Sequence, residues 1–357
     1  MRAGEGAFRS CDSARLGTTP VNRAFTDRPT ARAMLRLVLA LSLSALGASC
    51  GQQAAEPDAR PTTVADAEVL PAAPPASNAA PLSDTDLPAD TTEAADPETM
   101  AVFRRILNDA VAQGVAERPY GEIVQWVGEQ LLGQPYVAGM LDAAESETLV
   151  VDLTAFDCVL YIENVLSLSR MIALGETDYQ AYADGVRTLR YRDGDLDGYC
   201  SRLHYFSDWI RDNARRGTLD NITAAIGGEA FEKRLTFMGE HRGAYPRMAS
   251  DSTYACILDM EASLAGAELF YIPQNRIAGA YDGMQAGDII ATATRIGGLD
   301  VTHTGFVHKT AAHTGFMHAS LSSDEVKISD DLASYVQGIS SQIGVVVVRP
   351  LDPRQEG

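Results

Sequence analysis

Hydrophobic residues recur every three or four positions in two segments that follow residue 97. The first segment places its apolar side chains at Val102, Ile106, Leu107, Ala110 and Val111. The second, over residues 122–132, places them at Ile123, Val124, Val127 and Leu131. Residues with this spacing lie on one face of an α-helix. The sequence therefore predicts two amphipathic helices at the start of the folded region.

A third helical pattern begins after Asp157 and ends at Gly175, residue types that favour the start and the end of a helix. Its apolar residues are Leu160, Ile162, Val165, Leu166, Leu168 and Ile172. Because this stripe is broad, we expect the helix to be mostly buried. Cys158 falls in its first turn.

The C-terminal third of the chain carries aliphatic runs and alternating patterns that are typical of strands. They occupy residues 286–294, 300–320, 326–329 and 343–350. Short strands at this spacing predict an antiparallel sheet. Helices followed by strands indicate an α+β fold.

Residues 300–320 predict a hairpin that is closed by residues 309–312. This hairpin sets His308 opposite His313 and His303 opposite His318, with Cβ atoms about 5 Å apart. Because side chains alternate between the two faces of a strand, the two histidine pairs face opposite ways. The sequence therefore predicts that His303 and His318 are neighbours.

Composition limits the classes of protein and of partner. The 357 residues carry a net charge of −19, which argues against nucleic-acid binding. A hydrophobic content of 46% suffices for a core and excludes wholesale disorder. The five cysteines include no CxxC spacing, so neither a disulfide scaffold nor a structural zinc site is predicted. We expect no metal and no cofactor.

Residues 1–50 are predicted to be a leader with a lipoprotein-type signal. After Arg36 comes an apolar run that is too short to span a bilayer, and small residues then lead to Cys50. This pattern resembles a bacterial lipobox, although Gly47 stands where a branched aliphatic residue is usual. The resemblance implies that Cys50 is lipidated and that the protein is a periplasmic lipoprotein of the cell envelope, on the outer membrane. Simple secretion is the alternative, and Met34 is an alternative start.

Residues 51–97 are predicted to be a disordered acidic linker. The segment is rich in Ala, Pro and Thr, and eight of the chain's 16 prolines lie in it. It lacks hydrophobic periodicity, so it cannot bury enough apolar surface to fold. The folded domain is then expected at residues 98–352.

Cys158 and the predicted histidine pair have the chemistry of a nucleophilic site. The thiolate is the reactive form of cysteine, and the first turn of a helix favours an anion. One imidazole can take the thiol proton while the second orients the first. The residues alone leave alternatives open: a buried inert cysteine, two half-buried strand histidines, or a zinc site, for which two histidines are too few.

Four segments carry a resemblance to a known family: FDCVLYIENVLSLSR, YCSRLHYFSDWI, AGDIIATATRIGGLDVTHTGFV and FMHAS. Together they resemble the N-acetylmuramoyl-L-alanine amidase-like family, once a domain of unknown function and related to the NlpC/P60 cell-wall hydrolases. The resemblance implies a papain-like fold of the NlpC/P60 type, in which the helix that begins at Cys158 packs on the antiparallel sheet. It also implies that Cys158 is the nucleophile, His303 the base and His318 the orienting residue. It also implies cleavage of the amide between N-acetylmuramic acid and L-Ala in peptidoglycan or muropeptides. Leu160 and Tyr161 depart from the family pattern.

Other residues are weaker candidates for substrate contacts. Tyr136 resembles a tyrosine that lines the cleft of NlpC/P60 enzymes, while Arg202, His204 and Tyr205 lie in a segment that the family shares. Whether Cys200 and Cys256 form a disulfide is left open. Two other functions also remain open: a γ-D-glutamyl-diamino acid endopeptidase of the same fold, and a non-catalytic wall-binding lipoprotein. Any membrane contact is expected through the N-terminal lipid alone.

Overall fold

The computed structural model describes residues 96–355. Cys50, the leader and nearly all of the predicted linker lie outside these residues. The helices are α1 (Pro97–Ala112), α2 (Tyr120–Glu129), α3 (Cys158–Leu174), α4 (Tyr179–Arg190), α5 (Phe206–Arg215), α6 (Phe237–Glu240), α7 (Asp251–Ser263) and α8 (Leu332–Gln337). The strands are β1 (Leu219–Asn221), β2 (Glu229–Phe231), β3 (Leu269–Pro273), β4 (Ile289–Thr294), β5 (Val301–Lys309), β6 (Thr314–Ser320), β7 (Glu325–Ser329) and β8 (Gln342–Pro350).

The strands form one sheet in the order β2-β3-β8-β4-β5-β6-β7, and β1 also pairs with β8. The described strand pairs are antiparallel. The predicted α+β class with an antiparallel sheet is therefore confirmed. The short strands β1, β2 and β3 were not predicted, because three to five residues of mixed exposure show no clear alternation. The papain-like classification stays a prediction.

Helix α1 buries most of the predicted stripe and adds Phe103 to it. Phe103 is fully buried and its ring stacks on that of Tyr182, with the centroids 5.3 Å apart. Ile106 and Leu107 are buried as predicted, but Val111 is 44% exposed. Burying the large Phe103 ring turns the helix so that Val111 faces outward. In helix α2 the predicted Ile123, Val124 and Val127 are buried.

Helix α3 has the predicted ends and burial. The Asp157 carboxylate accepts hydrogen bonds from the backbone N–H groups of Val159 (3.0 Å) and Leu160 (2.8 Å). At the other end Gly175 adopts a left-handed conformation with φ of 71°. The helix contacts α2, α4 and β5 and is buried on nearly all sides, Cys158 included. Within residues 96–355 no helix is long and apolar enough to cross a membrane.

The two faces of the sheet bury separate apolar clusters. On β4, Ile289 and Ala291 pack with the helical layer that contains α1 to α5, whereas Ile290 points to the opposite face. Helix α8 covers that second face. A third cluster is formed mostly by residues 235–264 and also contains Tyr199, Tyr205 and Leu299. A disulfide between Cys200 and Cys256 ties this region to the segment before α5.

The β5–β6 hairpin has a different register from the predicted one. His308 lies opposite Gly315 rather than His313, and Lys309 lies opposite Thr314. The turn is therefore shifted by one residue, to 310–313, where the Thr310 hydroxyl accepts hydrogen bonds from the N–H groups of Ala312 (3.2 Å) and His313 (3.1 Å). This shift slides the strands by two positions. A slide by an even number keeps every side chain on its predicted face.

Candidate active site

His303 on β5 and His318 on β6 are in direct contact. The Nε2 atom of His303 lies 2.7 Å from the Nδ1 atom of His318. In the observed register the two residues are diagonal neighbours, because extending the pairing of Phe306 with Met317 by one residue sets Gly305 opposite His318. The prediction that the two histidines are neighbours is confirmed. The prediction that they lie directly opposite each other is wrong.

Gly305 permits this diagonal contact between the two strands. A Cβ atom at position 305 would lie 2.5 Å from the Met317 carbonyl oxygen, 2.7 Å from the Phe316 ring and 2.8 Å from His318 Cβ. Distances this short would force the strands apart. Glycine at 305 thus lets the backbone of β5 approach β6 where the two imidazoles meet.

Two aromatic rings enclose His318. The Phe316 ring stacks on its imidazole at a centroid distance of 4.5 Å, and the Tyr335 ring of α8 lies edge-on at 4.8 Å. Burial lowers the pKa of His318 to about 2, with further lowering from His303 and from Lys327, its neighbour on β7. Burial likewise lowers the pKa of His303 to about 4. Both imidazoles are therefore neutral near pH 7 in this structure, and neutral imidazoles can accept protons.

Cys158 lies beside the strand that carries His303. Its backbone carbonyl accepts a 3.1 Å hydrogen bond from the hydroxyl of Thr304, the residue after His303. Nucleophilic chemistry at this position requires the reduced thiol of Cys158. The N–H groups of Val159 and Leu160 bind Asp157 and therefore do not serve a developing oxyanion.

A cavity with several charged side chains in its wall adjoins His303. It is lined by Glu163, Arg190, Arg202, His204 and Asp300 among others. Glu163 and Arg190 form an ion pair at 2.7 Å, and both side chains are 1% exposed. This pair fixes the wall of the cavity, since Arg190 also donates to the Val150 carbonyl at 2.6 Å.

Two predicted substrate contacts, Arg202 and His204, line this cavity and also bond to the protein. Arg202 donates to the carboxylate of Asp142 at 2.6 Å and to the Leu141 carbonyl at 3.1 Å. His204 Nε2 lies 2.8 Å from the Tyr199 carbonyl, and burial lowers the pKa of His204 to about 3. The structure thus brings Arg202 and His204 to the same cavity as His303.

The other two predicted contacts lie elsewhere. The Tyr205 hydroxyl donates to Glu261 at 2.7 Å and accepts from the Met238 N–H at 3.0 Å, so its polar group is used inside the third apolar cluster. Tyr136 is half-buried and bridges to Phe156, two residues before Cys158. Tyr136 therefore lies on the Cys158 side of the domain, whereas Tyr205 packs in the region that the disulfide holds.

Sequence analysis missed two residues that contact the histidine pair. Ser329 on β7 places its hydroxyl oxygen 3.1 Å from His318 Nε2, and Tyr335 packs against both imidazoles. Residues 326–329 were predicted as a strand, but its register against β6 was unknown. No group of three or more His, Cys, Asp or Glu side chains in residues 96–355 is arranged to hold a metal ion.

Comparisons with known proteins identify the family and the fold. A family model described as N-acetylmuramoyl-L-alanine amidase-like (AmiA-like) matches residues 126–343. A solved N-acetylmuramoyl-L-alanine amidase from Bacteroides uniformis is 33% identical, with a TM-score of 0.62 over 65% of this chain and 98% of that chain.

Two further solved structures are similar. One from Bacteroides fragilis, provisionally described as a xylanase, is 30% identical with a TM-score of 0.60, over 63% of this chain and 99% of its own. A Legionella pneumophila protein is 18% identical with a TM-score of 0.52, over 71% of this chain and 94% of its own, which supports the fold alone. No curated protein matches the chain.

Proposed function

The chain belongs to the N-acetylmuramoyl-L-alanine amidase-like family, and from that premise we propose that it is a cysteine-dependent amidase. Its substrate would be the bond between the lactyl group of N-acetylmuramic acid and L-Ala in peptidoglycan or its fragments. The observation that carries this proposal is the His303–His318 contact on the strand that binds the Cys158 backbone. A nucleophile at a helix N-terminus, a base and an orienting group are the parts that acyl transfer requires.

In the first step the reduced Cys158 gives its proton to His303, and the thiolate attacks the lactyl carbonyl carbon. Because Nε2 of His303 faces His318, Nδ1 is the ring atom that remains for this proton. The tetrahedral intermediate collapses as its C–N bond breaks. His303 then donates the proton to the departing amine of L-Ala, which leaves a thioester on Cys158.

In the second step water hydrolyses the thioester. His303, neutral again, takes a proton from the water as the oxygen attacks the thioester carbonyl, and the C–S bond breaks. The products are a muramic acid carboxylate and the Cys158 thiol. The low pKa of His318 suits this cycle, because a neutral imidazole can accept the hydrogen bond of a protonated His303.

Product analysis tests the proposal. The domain from residue 97 onward is incubated under mild reduction with a disaccharide-tetrapeptide muropeptide, and the products are weighed by mass spectrometry. We expect release of the whole tetrapeptide beginning with L-Ala, and no release by Cys158→Ala. The Cys200→Ser/Cys256→Ser double variant is the matched control, because it lacks the described disulfide but keeps Cys158.

Other products would contradict the amidase proposal. A disaccharide that still carries L-Ala and D-Glu would move the activity to the γ-D-glutamyl-diamino acid endopeptidase class. Unchanged muropeptide that nevertheless binds the domain would favour a wall-binding role. Equal tetrapeptide release by Cys158→Ala would exclude Cys158 as nucleophile.

We also propose that Cys50 carries a lipid that holds the protein in the bacterial envelope, with the acidic segment 51–97 as a tether. The lipobox-like residues before Cys50 support this proposal. Metabolic labelling of the full chain with a palmitate analogue tests it. We expect label on the parent protein and none on Cys50→Ala, and an unlabelled parent protein would contradict the proposal.

A further inference from the structure

The hydrogen bond between the two histidines limits which ring nitrogen of His318 can carry the proton. If His303 is to take a proton on Nδ1, it must carry its resting proton on Nε2 and donate that proton to His318 Nδ1, which lies 2.7 Å away. A neutral imidazole has one N–H group and one acceptor nitrogen. His318 must then carry its own proton on Nε2.

The opposite tautomer of His318 would disable His303. With its proton on Nδ1, His318 would donate to His303 Nε2 and so move the resting proton of His303 to Nδ1. His303 could then accept nothing from a thiol. The choice between the two tautomers of His318 therefore decides whether His303 is a base, and the productive choice requires an acceptor for the buried Nε2–H group of His318.

We propose that Ser329 is a positioning residue: its hydroxyl oxygen accepts the Nε2–H proton of His318, and this hydrogen bond lets the buried histidine pair adopt the basic tautomer. Its hydroxyl oxygen lies 3.1 Å from His318 Nε2. The inference rests on the proposed function, since it concerns the base of that reaction.

The other described neighbours of His318 do not offer an acceptor for its Nε2–H group. Phe316 and Tyr335 cover the faces of the imidazole with aromatic carbon, and His303 takes Nδ1. Lys327, the residue opposite His318 on β7, is a cation that disfavours a second proton on the imidazole, and its ammonium group cannot accept a hydrogen bond. Among the described residues, Ser329 supplies the hydrogen bond that is recorded at Nε2.

Two measurements on the domain from residue 97, expressed with ¹⁵N-labelled histidine, test the inference. Long-range ¹H–¹⁵N correlation spectra identify which ring nitrogen of His318 is protonated, with His318→Gln used to assign its signals. Steady-state kinetics on the muropeptide then compare Ser329→Ala with Ser329→Thr, which restores the hydroxyl. Ser263→Ala, an exposed serine of α7, is the control.

We expect the Nε2–H tautomer in the parent protein and a mixture of tautomers in Ser329→Ala. Loss of one hydrogen bond should lower kcat about threefold to tenfold with little change in KM, and Ser329→Thr should recover most of that loss. The Nδ1–H tautomer in the parent protein would overturn the inference, as would a Ser329→Ala variant with unchanged spectra and unchanged kcat. Because the spectra need no substrate, a Ser329-dependent tautomer in a protein without amidase activity would support the inference while refuting the proposed function.

Discussion

Removal of the Glu163 charge should destabilise the domain strongly. Glu163 lies one and a half turns after Cys158 on α3, and its Oε2 atom accepts from Arg190 Nε at 2.7 Å. Arg190 also binds the Val150 carbonyl, in the segment that leads to Asp157. The pair therefore joins α3, α4 and the chain before the predicted nucleophile. Glu163→Gln keeps the shape of the side chain but leaves the Arg190 cation buried without its counter-ion.

The magnitude follows from the burial of the pair. Both side chains are 1% exposed, so neither charge recovers hydration when the other is removed. Breaking a buried ion pair from one side costs about 3–5 kcal/mol of unfolding free energy. The exposed pair Arg105–Asp109, at 3.7 Å with both side chains 44% exposed, provides the comparison. Its loss in Asp109→Asn should cost about 0.5 kcal/mol or less.

Urea unfolding followed by tryptophan fluorescence measures both losses. We expect Glu163→Gln to unfold at much lower urea with an unchanged slope, and kcat to fall as the Cys158 segment loosens. Replacing both partners in Glu163→Leu/Arg190→Met should recover most of the stability, because neither charge of the pair is then left buried without its counter-ion. If Glu163→Gln costs no more than Asp109→Asn, the buried pair does not support the site.

Three further outcomes follow from the structure. The pKa of His318 in the folded state, about 2, lies below its ordinary value, so stability is complete above about pH 6.5 and is lost as pH falls below it. Between pH 7 and pH 5, protonation of His318 alone should lower the free energy of unfolding by about 2 kcal/mol. Urea unfolding of His318→Gln at the two pH values should not show this loss. Gly305→Ala should lower the free energy of unfolding in urea by about 1–3 kcal/mol, because the added Cβ would meet three close neighbours. Gly297→Ala, where the added Cβ meets open space, should change it little. Equal losses in the two variants would refute the close approach of β5 and β6. The Cys200–Cys256 disulfide closes a separation of 56 residues, so Cys200→Ser/Cys256→Ser should unfold with about 2–4 kcal/mol less stability; unchanged thermal unfolding would show that the bond adds nothing.

Helix α3 was predictable because its signals are local. Asp157 caps its start, and Gly175 ends it in a left-handed conformation. The apolar residues between them form a stripe broad enough to predict a buried helix. Position 158 in the first turn followed from these residues alone. The exposed Val111 shows the limit of the same method, because periodicity does not say how far a helix turns to bury one large ring.

The histidine pair was predictable only in part. Strand alternation put His303 and His318 on one face, and a slide of two positions does not change faces. The sequence did not show the turn that Thr310 closes, so the predicted opposition failed while the contact remained. Ser329 on β7 and Tyr335 on α8 also contact the histidine pair. Whether they do so depends on how β7 and α8 pack against β5 and β6. No pattern within one element carries that information.

The acyl-enzyme is the species that tests the central claim most directly. The reduced domain is mixed with muropeptide, quenched in acid within a turnover, and weighed as intact protein by mass spectrometry. An amidase of the proposed kind holds the sugar side, so we predict a mass increase equal to the muramoyl-containing acyl group, localised to Cys158 by proteolysis and absent in Cys158→Ala. An adduct that carries L-Ala and D-Glu in addition to the sugar, or the same muramoyl adduct on another residue, would contradict the account.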